Sequence, residues 1–154
     1  LVSDGYDAYV INVGDSRCIL IEGKPTNNND VIHSKQKSKN KRRNKWSLSY
    51  RQISSDHNPA KRLDEQERVR NSNGQFWRQG DELRLYPKDK TFKEARRKGL
   101  AINMTRAVGH STLCNHGLIA VPECYHVKIE QDHEYIFIMA SDGLWDILKN
   151  EQVF

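Results

Sequence analysis

No acidic residue occurs between Val31 and Ser55, although eight Lys or Arg residues do. The chain holds 25 basic and 20 acidic residues in all, so outside that segment 17 basic residues face 20 acidic ones, a net of −3 against the whole-chain +5. The pI near 9.1 therefore describes one segment and says little about any active surface. Cysteine is scarce as well: Cys18, Cys114 and Cys124 show no CxxC spacing, and their odd number suggests no disulfide framework. That usage fits a reducing, intracellular setting, cytoplasmic or nuclear. No stretch approaches the roughly 18 apolar residues of a membrane span, and Leu1 to Val13 lacks the charged start and apolar run of a signal peptide. Despite six histidines there is no HExxH and no paired Cys/His spacing, which removes a zinc reading. A Gly-rich phosphate loop, a GxSxG nucleophile and internal repeats are absent too.

What is present is enough for one domain: 154 residues can bury a real core. A charged share of 29% and a mean hydropathy of −0.83 are polar for a compact domain, but the polarity is concentrated in the basic segment. The chain opens on a leucine and closes a few residues into an apparent helix, so a piece of a larger unit is expected.

"YDAYVINV" and "RCILIE" are β-branched and aromatic runs separated by "GDS", which reads as a hairpin with a tight Gly-Asp turn. A second turn is expected at "EGKP", followed by a mobile, low-complexity insertion over about 24–47. Trp46 to Ser54 reads as a strand. In "SDHNPAKRLDEQERVRNSNG", Asn58 is expected to cap a helix, Pro59 to open it and Asn73-Gly74 to stop it. Short strands are expected at Gln75 to Arg78 and Leu83 to Tyr86, and a charged loop at "KDKTFKEARRKG". "LAINMTRAVG" reads as a short apolar strand, "GLIAVPECYHVKIEQ" as a strand interrupted at Pro122, and "EYIFIMA" as a strand buried on both faces. At least six strands against two helices, at hairpin spacing, predict an α+β fold of antiparallel sheets carrying helices.

Two carboxylate-bearing turns carry the chemistry. Asp15 sits in "NVGDSR"; Asp142 and Asp146 sit in "ASDGLWD". Hard divalent cations take oxygen ligands and keep several waters, so a few Asp side chains at strand rims suffice to hold them. On local grounds alone, a turn role for Asp15 and a helix-capping role for Asp142 and Asp146 outweigh a cation site. His110 is a loop histidine open to a ligand or acid role, though such residues are more often surface ones. Asn103 in "NMT" matches a glycosylation acceptor but lies in an expected core strand and is discounted. The run "KQKSKNKRRNK" reads as a solvated insertion rather than a nucleic-acid or anionic-lipid element.

Taken in order, "YVINVGDSRCIL", "DHNPAKRLDEQERVRNSNGQ", "GLAINMTRAVG", "GLIAVPECY" and "YIFIMASDGLWDILKNEQV" resemble successive motifs of the metal-dependent protein phosphatases, the type 2C or PPM family. The resemblance implies a sandwich of two antiparallel sheets flanked by helices, incomplete here. It also implies a site for two or more Mg²⁺ or Mn²⁺ ions whose bridging water attacks phosphoserine or phosphothreonine on protein substrates. By motif position Asp142 corresponds to the ligand of the catalytic metal pair, and Asp15 and Asp146 to acids around a further, weaker ion. Arg17 and Arg106, with Asp56, Glu65 and Arg68, correspond to residues of structural character, and no catalytic side chain is assigned. The family pattern "SRA.GD" reads "TRAVGH", placing His110 where an Asp is expected. The family's Asp-Gly-His motif and its later acid would lie before Leu1 and after Phe154, so residues 1–154 are expected to be the central and C-terminal part of one catalytic domain. Such a segment is expected to be nearly inactive without the missing parts. The resemblance thus favours a protein serine/threonine phosphatase; the alternatives are a pseudophosphatase scaffold, motivated by His110, and a tether for nucleic acid or anionic membrane using the basic insertion.

Overall fold

The computed structural model describes residues 1–26 and 46–154. The strands are β1 (Val2–Ser3), β2 (Asp7–Asn12), β3 (Arg17–Pro25), β4 (Trp46–Gln52), β5 (Gly74–Gln79), β6 (Glu82–Pro87), β7 (Glu123–Lys128) and β8 (Glu134–Ala140). The helices are α1 (Leu63–Asn71), α2 (Phe92–Arg97), α3 (Ser111–Cys114), α4 (Asp142–Trp145) and α5 (Asn150–Val153). All strand pairs are antiparallel, in the orders β1-β2-β7, β4-β3-β8 and β5-β6, as the α+β reading expects.

The expected hairpin between "YDAYVINV" and "RCILIE" does not form. β2 pairs with β7 and β3 with β8, so the two runs lie in different sheets and "GDS" is a corner between layers. Ala8, Val10 and Val127 of one sheet meet Cys18 and Leu20 of the other in one buried cluster with Ile53. Burying each Val or Leu is worth about 1.5–3 kcal/mol, more than the ladder bonds of one local turn. Gly14, at φ 121, opens the corner. The Asn12 amide then ties it down by donating to the carbonyls of Ser16 at 3.0 Å and Ser55 at 3.1 Å.

A second cluster joins Val69 of α1 to Leu85 of β6, Leu113 and Leu118. The close approach needs Gly74: a Cβ there would stand 2.2 Å from the His116 carbonyl and 2.6 Å from Val69 Cγ1. The helix stops as expected, with Asn73 at φ 59 just beyond it, but it starts late. Asn58 Oδ1 accepts only from the Ala60 N–H, capping a turn, and the Pro59 carbonyl accepts from Gln66 Nε2 at 2.7 Å. Asp64 and Glu65 then provide the negative charge that a helix start favours.

Several other expectations need correction. The turn at "EGKP" is absent, because β3 continues to Pro25, which lies opposite Trp46 on β4. The mobile insertion falls, for residues 27–45, outside the described residues. "KDKTFKEARRKG" is not a loop but contains α2, stabilised by a capping box between Thr91 and Glu94. "LAINMTRAVG" forms single bridges, Ile102 with Leu85 and Arg106 with Ile119, rather than a strand. Pro122, which has no N–H to give a ladder, marks where β7 starts rather than an interruption within it. β8 is not buried on both faces: it pairs only with β3 among the described residues, and Ile136 and Met139 are more than half exposed. No described helix is long and apolar enough to cross a membrane.

Candidate metal centre

Pairing of Arg17 with Ala140 puts the start of β3 beside the end of β8. Asp15 lies two residues before that pair and Asp142 two residues after it, so both arrive at one rim. Asp146 follows Asp142 at the spacing of one helical turn, and its N–H donates to the Asp142 carbonyl at 2.8 Å. The three acids line a cavity of about 110 Å³ together with Asp56, Asn58, Lys61, Glu82, Leu83, Asn103 and Trp145. That volume is below the roughly 300 Å³ at which small-molecule pockets begin, and it suits a hydrated ion better than an organic ligand.

The turn bearing Asp142 is held by Trp145, which is 9% exposed. Its indole N–H donates to the Ala140 carbonyl at 2.8 Å and is 3.3 Å from that of Arg17, so one side chain staples the ends of both strands. The Arg17 guanidinium lies 5.3 Å from the indole centroid. Ser141, not Asp142, occupies the N-cap of α4, and it makes no side-chain cap bond. The expected capping role is therefore not filled by either acid. Asp142 and Asp146 make no hydrogen bond or ion pair through their carboxylates among the described residues.

Asp15 is oriented by Asn103, whose amide donates to its carboxylate at 3.3 Å. Burial pushes its pKa up, and repulsion from Asp142, Asp56 and Asp146 adds to that against its own backbone N–H. The corner it sits on is braced by fully buried His57, whose N–H donates to the Gly14 carbonyl at 3.0 Å. Asp56 is chemically spent: burial favours its neutral form, but the Arg17 fork and Lys61 at 2.8 Å hold it below the usual carboxylate range. Five acids against one lysine still leave the cavity wall strongly negative. Among the described residues, no three His, Cys, Asp or Glu side chains stand close enough to close a shell around one ion; the acids share a cavity, not a cage. Mg²⁺ tolerates that arrangement, because it binds through one or two carboxylates and keeps several waters.

The residues read as structural behave so. Glu65, 2% exposed, accepts from Thr105 Oγ1 at 2.6 Å, Arg68 at 2.5 Å and Arg106 at 2.8 Å. Burial alone would raise its pKa, yet the bonds from Arg106, Thr105 and Arg68 bring it to about 2. Glu123 is likewise held at about 2, by Arg62 first, against its partial burial. His110 has left-handed backbone at φ 52, is exposed and does not line the cavity. Sequence reasoning missed Asn103, Lys61 and Glu82 at the cavity; nothing local in the chain marks them, and Asn103 carried a misleading glycosylation pattern.

Comparison with known proteins bears on the family and the fold. The family model described as Protein phosphatase 2C matches residues 1–154. "Probable protein phosphatase 2C 1" of Arabidopsis thaliana is 31% identical over 99% of this chain, and "Probable protein phosphatase 2C 75" of Oryza sativa subsp. japonica is also 31% identical over 99%. The chain spans 28% and 30% of the length of those two relatives. The crystal structure of serine-threonine phosphatase 2C from Toxoplasma gondii superposes with a TM-score of 0.68 over 97% of this chain and 42% of that one, at 22% identity, which shows the shared fold. A full-length family match, backed by relatives matched along 99% of the chain, places it in the protein phosphatase 2C family.

Proposed function

We propose that this chain is part of a metal-dependent protein serine/threonine phosphatase in which Asp142, with Asp15 and Asp146, holds Mg²⁺ or Mn²⁺. The observation that carries the reading is the convergence of these three carboxylates, from opposite ends of the sequence, on one small cavity where Asp142 and Asp146 make no carboxylate hydrogen bond or ion pair among the described residues. Oxygen-only donors suit a hard cation better than zinc, which favours Cys and His. Such ions, when bound, supply a more acidic water and offset the charge of phosphoryl oxygens. The chain's own residues do the positioning: Asn103 aims Asp15, Trp145 fixes α4, and the Arg17–Asp56–Lys61 group keeps the rim rigid while Lys61 brings a positive charge to the wall. Phosphoserine and phosphothreonine proteins are the substrates this reading assigns, and the intracellular setting rests on cysteine usage. All three cysteines are free thiols.

His110, the residue that motivates a scaffold reading, removes nothing from the cavity wall, so the enzyme reading stands ahead of it. The basic run proposed as a tether lies outside the described residues. The test is Mn²⁺ titration of the full-length protein, by calorimetry and by release of phosphate from a phosphothreonine peptide. Asp142→Asn is expected to weaken Mn²⁺ binding by about tenfold or more and to abolish turnover. Unchanged Mn²⁺ affinity in both Asp142→Asn and Asp15→Asn proteins would remove the site.

A further inference from the structure

Away from the acidic cavity, the β5–β6 hairpin and α2 build a second surface of opposite character. Trp77 of β5 stacks on Phe92 of α2 with ring centroids 4.0 Å apart and planes 10° from parallel, and Tyr86 of β6 meets Phe92 edge-on at 5.5 Å. A groove of about 680 Å³ runs along this stack, lined by Trp77, Gln79, Phe92, Lys93, Arg96 and Arg97. No acid lines it.

The three cations are uncommitted. Among the described residues Lys93, Arg96 and Arg97 make no side-chain hydrogen bond or ion pair, whereas Arg17, Arg62, Arg68 and Arg106 are all engaged with carboxylates. Two acids of these elements are engaged elsewhere: Glu94 closes the capping box with Thr91, and Glu82 is paired with Arg84 at 2.9 Å. A flat aromatic floor with a rim of unpaired cations is complementary to an acidic chain carrying an apolar anchor.

The hairpin also links this groove to the acidic cavity. Gln79 lines the groove, its register partner Glu82 lines the cavity, and the two stand directly opposite in the β5–β6 ladder. We propose that the groove docks an acidic peptide segment with an aromatic anchor, borne by the phosphoprotein whose phosphorylated residue enters the cavity. Its assignment to a substrate rests on the phosphatase reading above; the docking itself does not.

The test uses the full-length protein and a fluorescein-labelled Glu-rich peptide with one central Phe, read by anisotropy at rising salt. Saturable binding that weakens with salt is expected, and Arg96→Glu combined with Arg97→Glu is expected to weaken it about tenfold or more. Both positions are exposed, so the variant keeps its fold, and its hydrolysis of para-nitrophenyl phosphate is expected to be unchanged. With a phosphothreonine peptide extended by the Glu-rich segment, the same variant is expected to raise KM and leave kcat alone. No binding by the wild type, or equal binding by the variant, overturns the proposal. Binding to phosphatidylserine vesicles without binding to the peptide also overturns it, in favour of a membrane contact. Peptide binding by a protein that hydrolyses no phosphopeptide would overturn the phosphatase reading and confirm the docking surface, with a partner rather than a substrate as its occupant.

Discussion

Arg17 stands opposite Ala140 in the antiparallel ladder of β3 and β8, and this one register pair decides where the acids of the candidate site meet. Counting outward two residues from each member reaches Asp15 on one side and Asp142 on the other. A slip of one residue would turn every side chain of β8 to the other face and carry Asp142 off the rim. Packing of Tyr135 and Phe137 of β8 against the buried cluster of Ala8, Val10, Cys18, Leu20 and Val127 resists that slip, so the core specifies the geometry of the cavity.

Trp145→Phe should separate the staple from its packing. The ring remains, but the indole N–H bonds to the Ala140 and Arg17 carbonyls are lost, at a cost of about 1–3 kcal/mol. Urea denaturation is expected to show that loss, and a Mn²⁺ titration of the folded variant is expected to show weaker binding. Unaltered Mn²⁺ affinity would mean that α4 is held by something else.

Removing the Arg17 side chain leaves Asp56, 6% exposed, with Lys61 as its remaining charged partner. Arg17→Ala is expected to destabilise by about 3 kcal/mol, as when one partner of a buried pair is removed. Arg17→Lys is expected to recover only part of this, since an ammonium cannot reproduce the two-point contact at 2.9 and 2.6 Å. Equilibrium unfolding of the two variants side by side decides the point.

Acid stability follows from Glu65 and Glu123. Both are held at about 2 in the folded state against a value of 4.5 for an unperturbed glutamate. A depressed folded value means the contribution is complete above pH 4.5 and disappears as pH falls toward 2. Melting temperature measured across that window is expected to drop steeply. Glu65→Gln, less stable at neutral pH, is expected to give a flatter profile, and an equally steep one would place the acid sensitivity elsewhere.

Gly74→Ala is expected to cost about 1–3 kcal/mol, because the new methyl would stand 2.2 Å from the His116 carbonyl, a backbone atom that cannot swing aside. Gly143→Ala provides the contrast. Its nearest neighbour, Ser141 Oγ, lies at 3.5 Å and its position is helical, so thermal unfolding is expected to show little change or a small gain.

The sequence was legible wherever the signal is local. A short apolar run located β8, though not its exposed face, and the Asn73-Gly74 pair located the end of α1. It misled where one local signal serves two folds: Gly14-Asp15 is as good a corner between layers as it is a hairpin turn, and only the core shared by Val10 and Leu20 distinguishes them. Asn58-Pro59 announced a helix start but was used up in a preceding turn, since the Asn58 side chain accepts from the Ala60 N–H and its carbonyl from that of Lys61. The capping box at Thr91 and Glu94 was readable, yet the dense charge of that stretch hid a helix that buries only Ala95. As for the site, composition could not choose between a turn aspartate and a cation ligand at Asp15. That choice depends on the partner strand, which lies more than a hundred residues away in the chain.

The pairing of Pro25 with Trp46 sets both flanks of residues 27–45 side by side at the open end of the β3–β4 ladder. Gly23 lies just inside that end, where a Cβ would stand 3.3 Å from Leu48 Cδ2 and 3.4 Å from the Trp46 ring, so the ladder closes there by side-chain packing as well as by its backbone bonds. A larger side chain at Gly23 would press on both neighbours at the end of β3 opposite the acids.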